Sequence, residues 1–194
     1  MKLLRAATLT VADLDAAEAR YRDWLDYATI ERGDLPADLA ASFEAPKAAG
    51  RPYAVMQPAS GADIFIRLVE QPPIEGYKAL VTHGWAAIEI CVTDVLKAEE
   101  KVKGSPFEVI GPPREIEGLP AIYPMQVKGP DEEIVYLTQI RDDLPAYDLP
   151  RASSLIDKLF ILVIGCSDMH ASLKWLDETL GFETGRVMDI EYHM

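Results

Sequence analysis

The chain has 194 residues, enough to bury a sizeable hydrophobic core in one or two domains. Hydrophobic residues make up 49% of the sequence and charged residues 26%, a composition typical of globular proteins. The formal net charge of −13 argues against nucleic-acid partners and anionic membrane surfaces, because nonspecific binding to either needs a basic face.

Two further features bear on the location of the protein. No apolar run is long enough to span a bilayer, and the N-terminal stretch reaches Asp13 too early for a signal peptide. The two cysteines, Cys91 and Cys166, occupy equivalent places in two strand-like runs, and we expect buried, unpaired thiols there. These features predict a cytoplasmic protein without a membrane partner.

Residues 1–70 predict a strand, a helix and three further strands. Apolar residues alternate from Leu3 to Val11, Asp13 is a typical helix N-cap, and a run with apolar residues at helical spacing follows. The next strands are expected at 27–32, 53–58 and 63–69. The alanine-rich stretch 34–50 is predicted to be a loop with one short helix that forms a wall of a pocket.

The same order of elements returns in residues 83–140. Proline-bearing polar linkers at 70–82 and 141–154 separate this stretch from its neighbours. Its elements are expected as a strand at 85–93, a helix at 94–103 and strands at 106–110, 121–128 and 133–140. Residues 1–140 are therefore predicted to hold two paired modules, 1–70 and 83–140.

A third copy begins after the second linker, and residues 155–194 hold only part of a module. The pattern predicts a strand at 159–165, a helix capped by Asp168 and closed by Gly181, and a last strand at 186–193. Because the first module continues much farther beyond its cap aspartate, we expect this chain to be part of a longer, four-module protein.

The segment of a strand, a cap aspartate and a helix thus occurs three times, at long intervals. Its cap aspartates, Asp13, Asp94 and Asp168, lie 81 and 74 residues apart. The segments AATLTVADL and AIEICVTDV, together with GPDEEIVYL at the last strand of the second module, resemble motifs of the vicinal-oxygen-chelate superfamily. Glyoxalase I, bleomycin-resistance proteins and extradiol dioxygenases belong to it. The resemblance implies an α+β fold in which tandem βαβββ modules form a cupped, mostly antiparallel half-barrel sheet with helices outside.

The resemblance also implies where a metal would be bound. Superfamily members usually hold a divalent metal with histidines on opening strands and glutamates on closing strands. By position those ligands would fall at Ala6, Ala87, Ile161, Arg67 and Tyr136, whereas the histidines are His83, His170 and His193. The matching positions offer no set of nitrogen and oxygen donors. We therefore predict no metal or other cofactor between modules one and two.

Arg67 takes the place of the glutamate on the closing strand of the first module, on the same face as Phe65. Its guanidinium could hold a carboxylate or enolate oxygen of a ligand in place of the metal. It could equally be an ordinary outward-facing arginine on an edge strand. Thr8, on the opening strand, is predicted with Arg67 as a ligand-binding residue.

Glu89 and Tyr136 are the candidate catalytic and ligand-binding residues of the second module. The Tyr136 phenol could donate to a substrate oxygen, or it could pack with its hydroxyl in water. Glu89 could be a general base whose pKa burial raises, or it could pair with Arg67 as an ion pair. We expect Arg67 and Glu89 to face the same cavity.

Aromatic and thioether side chains are a third group of candidates. Trp85, Tyr123 and Met125, together with Met56, could line a site for a planar ligand, and core packing is the alternative for each. His83 and His170 occupy positions more typical of surface or capping residues than of catalysts.

Two classes of function stay open. One is a bleomycin-resistance-type protein whose concave cleft binds a small aromatic or anionic organic ligand, which the missing metal ligands favour. The other is the N-terminal part of a longer superfamily enzyme, a lyase, an isomerase or an extradiol-type dioxygenase. The strand and helix of the third copy are strongly apolar, so we expect a homodimer partner or the rest of a longer chain to cover them.

Overall fold

The computed structural model describes residues 4–145, 147–185 and 187–188, which form nine strands and four helices. The first module contains β1 (Ala6–Val11), α1 (Leu14–Leu25), β2 (Tyr27–Asp34), α2 (Ala37–Ser42), a 3-10 turn (Pro46–Ala48), β3 (Pro52–Pro58) and β4 (Phe65–Glu70). The second contains β5 (Gly84–Val92), α3 (Val95–Val102), β6 (Glu108–Gly111), β7 (Ile122–Lys128) and β8 (Ile134–Ile140). The third copy contributes β9 (Ile156–Gly165) and α4 (Met169–Leu180).

The strands form two mixed sheets, of four and five strands. Their orders are β1-β4-β3-β2 and β6-β7-β8-β5-β9. In each module the opening strand pairs in parallel with the closing strand, β1 with β4 and β5 with β8, and the other pairs are antiparallel. Each module is thus a βαβββ unit, and the predicted α+β fold is confirmed.

The pairing between copies differs from the expected one. β5 pairs antiparallel with β9, and no strand of the first sheet pairs with the second sheet among the residues that the structure describes. At the centre of this pairing Ile88 lies opposite Leu162, and each precedes the cap aspartate of its own copy by six residues. Modules one and two therefore do not share a sheet. The apolar strand β9 buries more hydrophobic surface by pairing with β5 than β1 would. The edge of β1 carries the polar residues Thr8 and Thr10, so it can stay open to water.

The three predicted helix caps are present. The carboxylate of Asp13 accepts a hydrogen bond from the backbone N–H of Ala16, and that of Asp168 accepts one from Ala171. Asp94 accepts from the N–H groups of both Leu96 and Lys97. Each aspartate thereby satisfies a donor that the first helical turn cannot satisfy itself, which fixes the start of the helix.

One hydrophobic core joins the two modules. The buried faces of α1 and α3 and one face of each sheet form a single cluster, which also takes in the start of β9. Tyr21 of α1 lies edge-on to Tyr27 and to Phe107, with ring centroids 6.4 Å and 6.1 Å apart. The Tyr27 hydroxyl accepts the backbone N–H of Leu159 at 3.1 Å. We call the sheet face turned away from this core the outer face.

The two cysteines differ in exposure. Cys91 is buried and its thiol faces the Pro150 carbonyl, but Cys166 is exposed, so the prediction of two buried thiols is wrong for Cys166. It follows the last residue of β9, where the chain has left the sheet. The strand expected at 186–193 falls largely outside the described residues. None of the described helices is long and apolar enough to cross a membrane.

Candidate functional site

Arg67 lies on the outer face of the first sheet, in the middle of β4. Its chain neighbours Ile66 and Leu68 are fully buried in the shared core, so strand alternation turns Arg67 to the opposite face. In the register of the sheet it lies between Val55 of β3 and Thr8 of β1. The first sheet therefore presents the guanidinium next to its open β1 edge.

The contacts of Arg67 leave part of its guanidinium available. Nη1 donates a hydrogen bond to Oγ1 of Thr8 at 3.2 Å, and the guanidinium carbon lies 5.5 Å from the ring centroid of Phe43. Nε is buried and has no hydrogen-bond partner in the described part of the chain. No carboxylate of that part forms an ion pair with Arg67, so its positive charge is not compensated within the described residues.

The segment between β2 and β3 covers this outer face. Its α2 helix and 3-10 turn confirm the predicted loop with a short helix. Apolar side chains of the segment and of the strands below it form a separate small core (Leu35, Leu39, Ala40, Ala48, Tyr53, Val55, Phe65 and Val69). Phe43, which follows α2, brings its ring to Arg67. The insertion is thus one wall of the Arg67 site.

Tyr53 and Glu31 extend the site, and the sequence analysis did not identify them. The Tyr53 hydroxyl donates a short hydrogen bond to the Glu31 carboxylate. This bond is the main reason that the pKa of Tyr53 is raised, and the nearby positive charge of Arg67 acts in the opposite direction. Alternation with buried Ala54 could have indicated the face of Tyr53. The irregular register between Thr29 and Glu31 could not have been inferred from the sequence.

A second polar group lies on the outer face of the second sheet. Glu89 of β5 is level with Tyr136 of β8, which is level with Gln126 of β7. Glu89 is 9% exposed, and burial raises the pKa of its carboxyl group to about 7, against a small opposing effect from the Thr138 hydroxyl. Such a carboxyl group changes its charge near neutral pH.

The structure does not bring Arg67 and Glu89 together. They lie on different sheets, and each lies on the face opposite to the core that the two sheets share. The predicted common cavity and the predicted ion pair between them are therefore wrong. The reason is the strand pairing, because β5 takes β9 as its antiparallel neighbour and leaves β1 on another sheet.

The candidates for a planar-ligand lining are dispersed. Met125 and Met56 are fully buried in the shared core, and Tyr123 packs against that core with the Arg141 guanidinium 3.6 Å from its ring centroid. Trp85 is 73% exposed near the start of β5. Core packing, the alternative for each residue, is what Met125 and Met56 show. The predicted lining is wrong for Met125 and Met56, because both side chains face the shared core. For Trp85 and Tyr123 it stays a prediction.

No protein-family model matches the chain, and no curated protein matches it either. Solved structures do match. Glyoxalase I from Zea mays matches with a TM-score of 0.63 and 18% identity, over 93% of this chain and 55% of its own. A glyoxalase family protein from Bacillus cereus matches with a TM-score of 0.55 and 17% identity, over 72% of this chain and 95% of its own.

A glyoxylase/bleomycin resistance protein/dioxygenase domain from Frankia sp. matches with a TM-score of 0.52 and 20% identity, over 72% of this chain and 92% of its own. These structures share one superfamily fold. The chain has the vicinal-oxygen-chelate fold. It spans about 55% of the length of the maize glyoxalase I.

The metal positions of the vicinal-oxygen-chelate fold are not filled with metal ligands here. Ala6, Ala87, Arg67 and Tyr136 stand there, and the described residues contain no group of three or more His, Cys, Asp or Glu that could hold a metal ion. The guanidinium of Arg67 puts a positive charge where a carboxylate would bind a cation, and its buried Nε has no partner. These residues do not fit a divalent metal.

Proposed function

We propose that this protein binds a small organic anion on the outer face of its first sheet, with Arg67 holding a carboxylate or enolate oxygen. The supporting observation is the half-buried guanidinium, which has a buried N–H without a partner and no acidic partner in the described chain. A planar guanidinium is suited to two-point binding of a carboxylate. The proposed role is ligand binding of the bleomycin-resistance type.

The charge pattern of the chain supports this role. With a net charge of −13, the protein has an excess of acids to pair with its cations. Six of the arginines that the structure describes form ion pairs (Arg5, Arg20, Arg22, Arg32, Arg141 and Arg151). Arg67 instead contacts Thr8 and Phe43, neither of which neutralises it. An anionic ligand would supply the missing charge, and Phe43 and Phe65 would offer aromatic surface to its body.

Replacement of Arg67 tests the proposal. We expect Arg67→Ala to weaken the binding of benzoate by about 1.5–3 kcal/mol, because a charge-assisted hydrogen bond is lost. Calorimetric titration of benzoate and of uncharged benzamide into the protein measures the effect. Arg22→Ala is the matched control, since Arg22 is an exposed arginine paired with Asp23 on α1. Equal binding of benzoate by the wild type and Arg67→Ala would refute the proposal.

A second candidate function is the N-terminal part of a longer lyase, isomerase or extradiol-type dioxygenase. The third copy favours it, because α4 has no buried residue and Trp175 on it is 57% exposed. Large apolar patches of this kind mark surfaces that another element covers. That cover would come from further chain or from a partner in a homodimer, and a cytoplasmic location fits either case.

Light scattering on this chain separates the two forms of cover. If a second copy covers α4, we expect a dimer at micromolar concentration and protection of Trp175 from a soluble quencher such as acrylamide. Trp175→Glu should then shift the protein to a monomer, because a charge cannot be buried in an apolar contact without a partner. Trp85→Glu, at the exposed end of β5, is the matched control. A stable wild-type monomer would contradict the homodimer.

A further inference from the structure

Buried polar side chains lie between the two modules, where α1 contacts the turn that joins β7 and β8. Arg20 and Tyr21 of α1 and Glu133 of the turn are 9%, 0% and 8% exposed. Nη2 of Arg20 donates a hydrogen bond to Oδ2 of Asp131, and the other oxygen of that carboxylate accepts the backbone N–H of Ala12 at 2.7 Å. The two modules thus meet through charged groups that are removed from solvent.

Three polar atoms of this group have no hydrogen-bond partner within the described residues. They are Nε of Arg20, the hydroxyl oxygen of Tyr21 and Oε1 of Glu133, and each of them is buried. Nη2 of Arg20 lies 3.7 Å from Oε1 of Glu133, which is close enough for an ion pair and too long for a hydrogen bond. Buried polar atoms in folded proteins are nearly always hydrogen-bonded, so three exceptions in neighbouring side chains indicate a partner from outside the chain.

Electrostatic effects connect the Tyr21 hydroxyl with this ion pair. Burial is the main cause of the raised pKa of the Tyr21 phenol. Among the charged groups, the carboxylate of Glu133 raises that pKa most, and the guanidinium of Arg20 opposes the rise. The two side chains that act most strongly on the phenol are therefore the two that carry the other unpartnered atoms.

The side chains of this group are held in place by other contacts. Oε2 of Glu133 accepts a backbone N–H of its own turn at 2.9 Å. The carboxyl carbon of Glu133 lies 2.1 Å from the point where a Cβ would stand at residue 129, so Gly129 is what admits it. The Tyr21 ring lies edge-on to both Tyr27 and Phe107. Rotation of Tyr21 or Glu133 to form a direct bond would break these contacts.

We infer that one buried water molecule is bound here and joins Arg20, Tyr21 and Glu133 across the contact between the modules. The water accepts a hydrogen bond from Nε of Arg20, donates one to Oε1 of Glu133 and forms a third with the Tyr21 hydroxyl. Three hydrogen bonds are the usual number for a buried water. The inference is independent of the proposed function, because Arg67 lies on the outer face of the first sheet and this group lies between the modules.

The charges of the group favour water over an ion. A bound cation would be repelled by the guanidinium of Arg20, and a bound anion by the carboxylates of Asp131 and Glu133. The unpartnered atoms are a donor on Arg20, an acceptor on Glu133 and a hydroxyl that can do either. Water is uncharged and both donates and accepts, so it satisfies all three without adding a charge to the group.

A high-resolution crystal structure of the protein tests the inference directly. We expect electron density for one ordered water about 2.7–3.2 Å from both the hydroxyl oxygen of Tyr21 and Oε1 of Glu133. A direct hydrogen bond between these two side chains would overturn the inference. Well-ordered side chains with no water between them would overturn it as well.

Tyr21→Phe tests the same point in solution by the sign of its effect. If a water satisfies the hydroxyl, the variant loses a hydrogen bond, and its melting temperature should fall by about 2–4 °C. If the hydroxyl has no partner at all, its removal should instead raise the melting temperature. Tyr27→Phe is the matched control, because the Tyr27 hydroxyl bonds directly to the backbone of Leu159, and its melting temperature should fall. An unchanged or raised melting temperature for Tyr21→Phe would overturn the inference.

Discussion

Arg20→Met should lower the free energy of unfolding by about 3–5 kcal/mol, because it leaves two buried carboxylates without their cation. Arg20 of α1 forms a short ion pair with Asp131, in the turn between β7 and β8, and its Nη2 lies 3.7 Å from Oε1 of Glu133. The three side chains are only 10%, 10% and 4% exposed. Burial raises the pKa of Glu133, and the positive charge of Arg20 opposes that rise.

Urea unfolding at pH 7 measures this effect. Arg22→Met, two residues along the same helix, removes an exposed arginine and should change stability far less. The double variant Arg20→Met with Glu133→Gln should recover part of the loss, because it removes one of the two uncompensated charges. If Arg20→Met proves no more damaging than Arg22→Met, the buried ion pair does not stabilise the contact between the modules.

Glu89→Gln should stabilise the protein above neutral pH by about 3 kcal/mol. The pKa of Glu89 is raised from 4.5 to about 7 in the folded protein, so the folded state holds its proton more tightly than the unfolded state does. That contribution to stability is complete below pH 4.5 and is lost as the pH rises to 7. Glutamine has no proton to lose, so the variant avoids this loss.

The measurement is unfolding free energy from urea titrations at pH 5, 6, 7 and 8. The difference between Glu89→Gln and the wild type should grow from about 1 kcal/mol at pH 5 to about 3 kcal/mol at pH 8. Glu75→Gln, at an exposed position of the linker, should follow the wild type throughout. If the unfolding free energies of the wild type and Glu89→Gln change with pH in parallel, the pKa of Glu89 is not raised by folding.

Local features of the fold could be predicted from the sequence. The cap aspartates and the apolar periodicity that follows them act within a few residues, and the structure has a helix at each. Strand alternation likewise indicated the face of Arg67, because Ile66 and Leu68 on either side are apolar. These signals depend only on neighbouring residues, so no knowledge of the rest of the chain was needed.

The pairing of β5 with β9 could not be predicted in this way. Three copies of one opening strand offer similar edges, and the choice among them depends on contacts between residues far apart in the chain. The wrong choice placed Arg67 and Glu89 in one cavity. On β7 the error was smaller but of the same kind, because the parity of the strand decides whether Met125 or Gln126 faces outward.

The shared core has a consequence for how the chain folds. In many repeat proteins each unit is stable with its immediate neighbours, and the units can unfold separately. Here Tyr21 of the first module packs on Phe107 of the second, and Tyr27 binds the backbone of β9. The sequence repeat is therefore smaller than the unit that shares one core, so we expect a substitution in α1 to alter the stability of the second sheet as well.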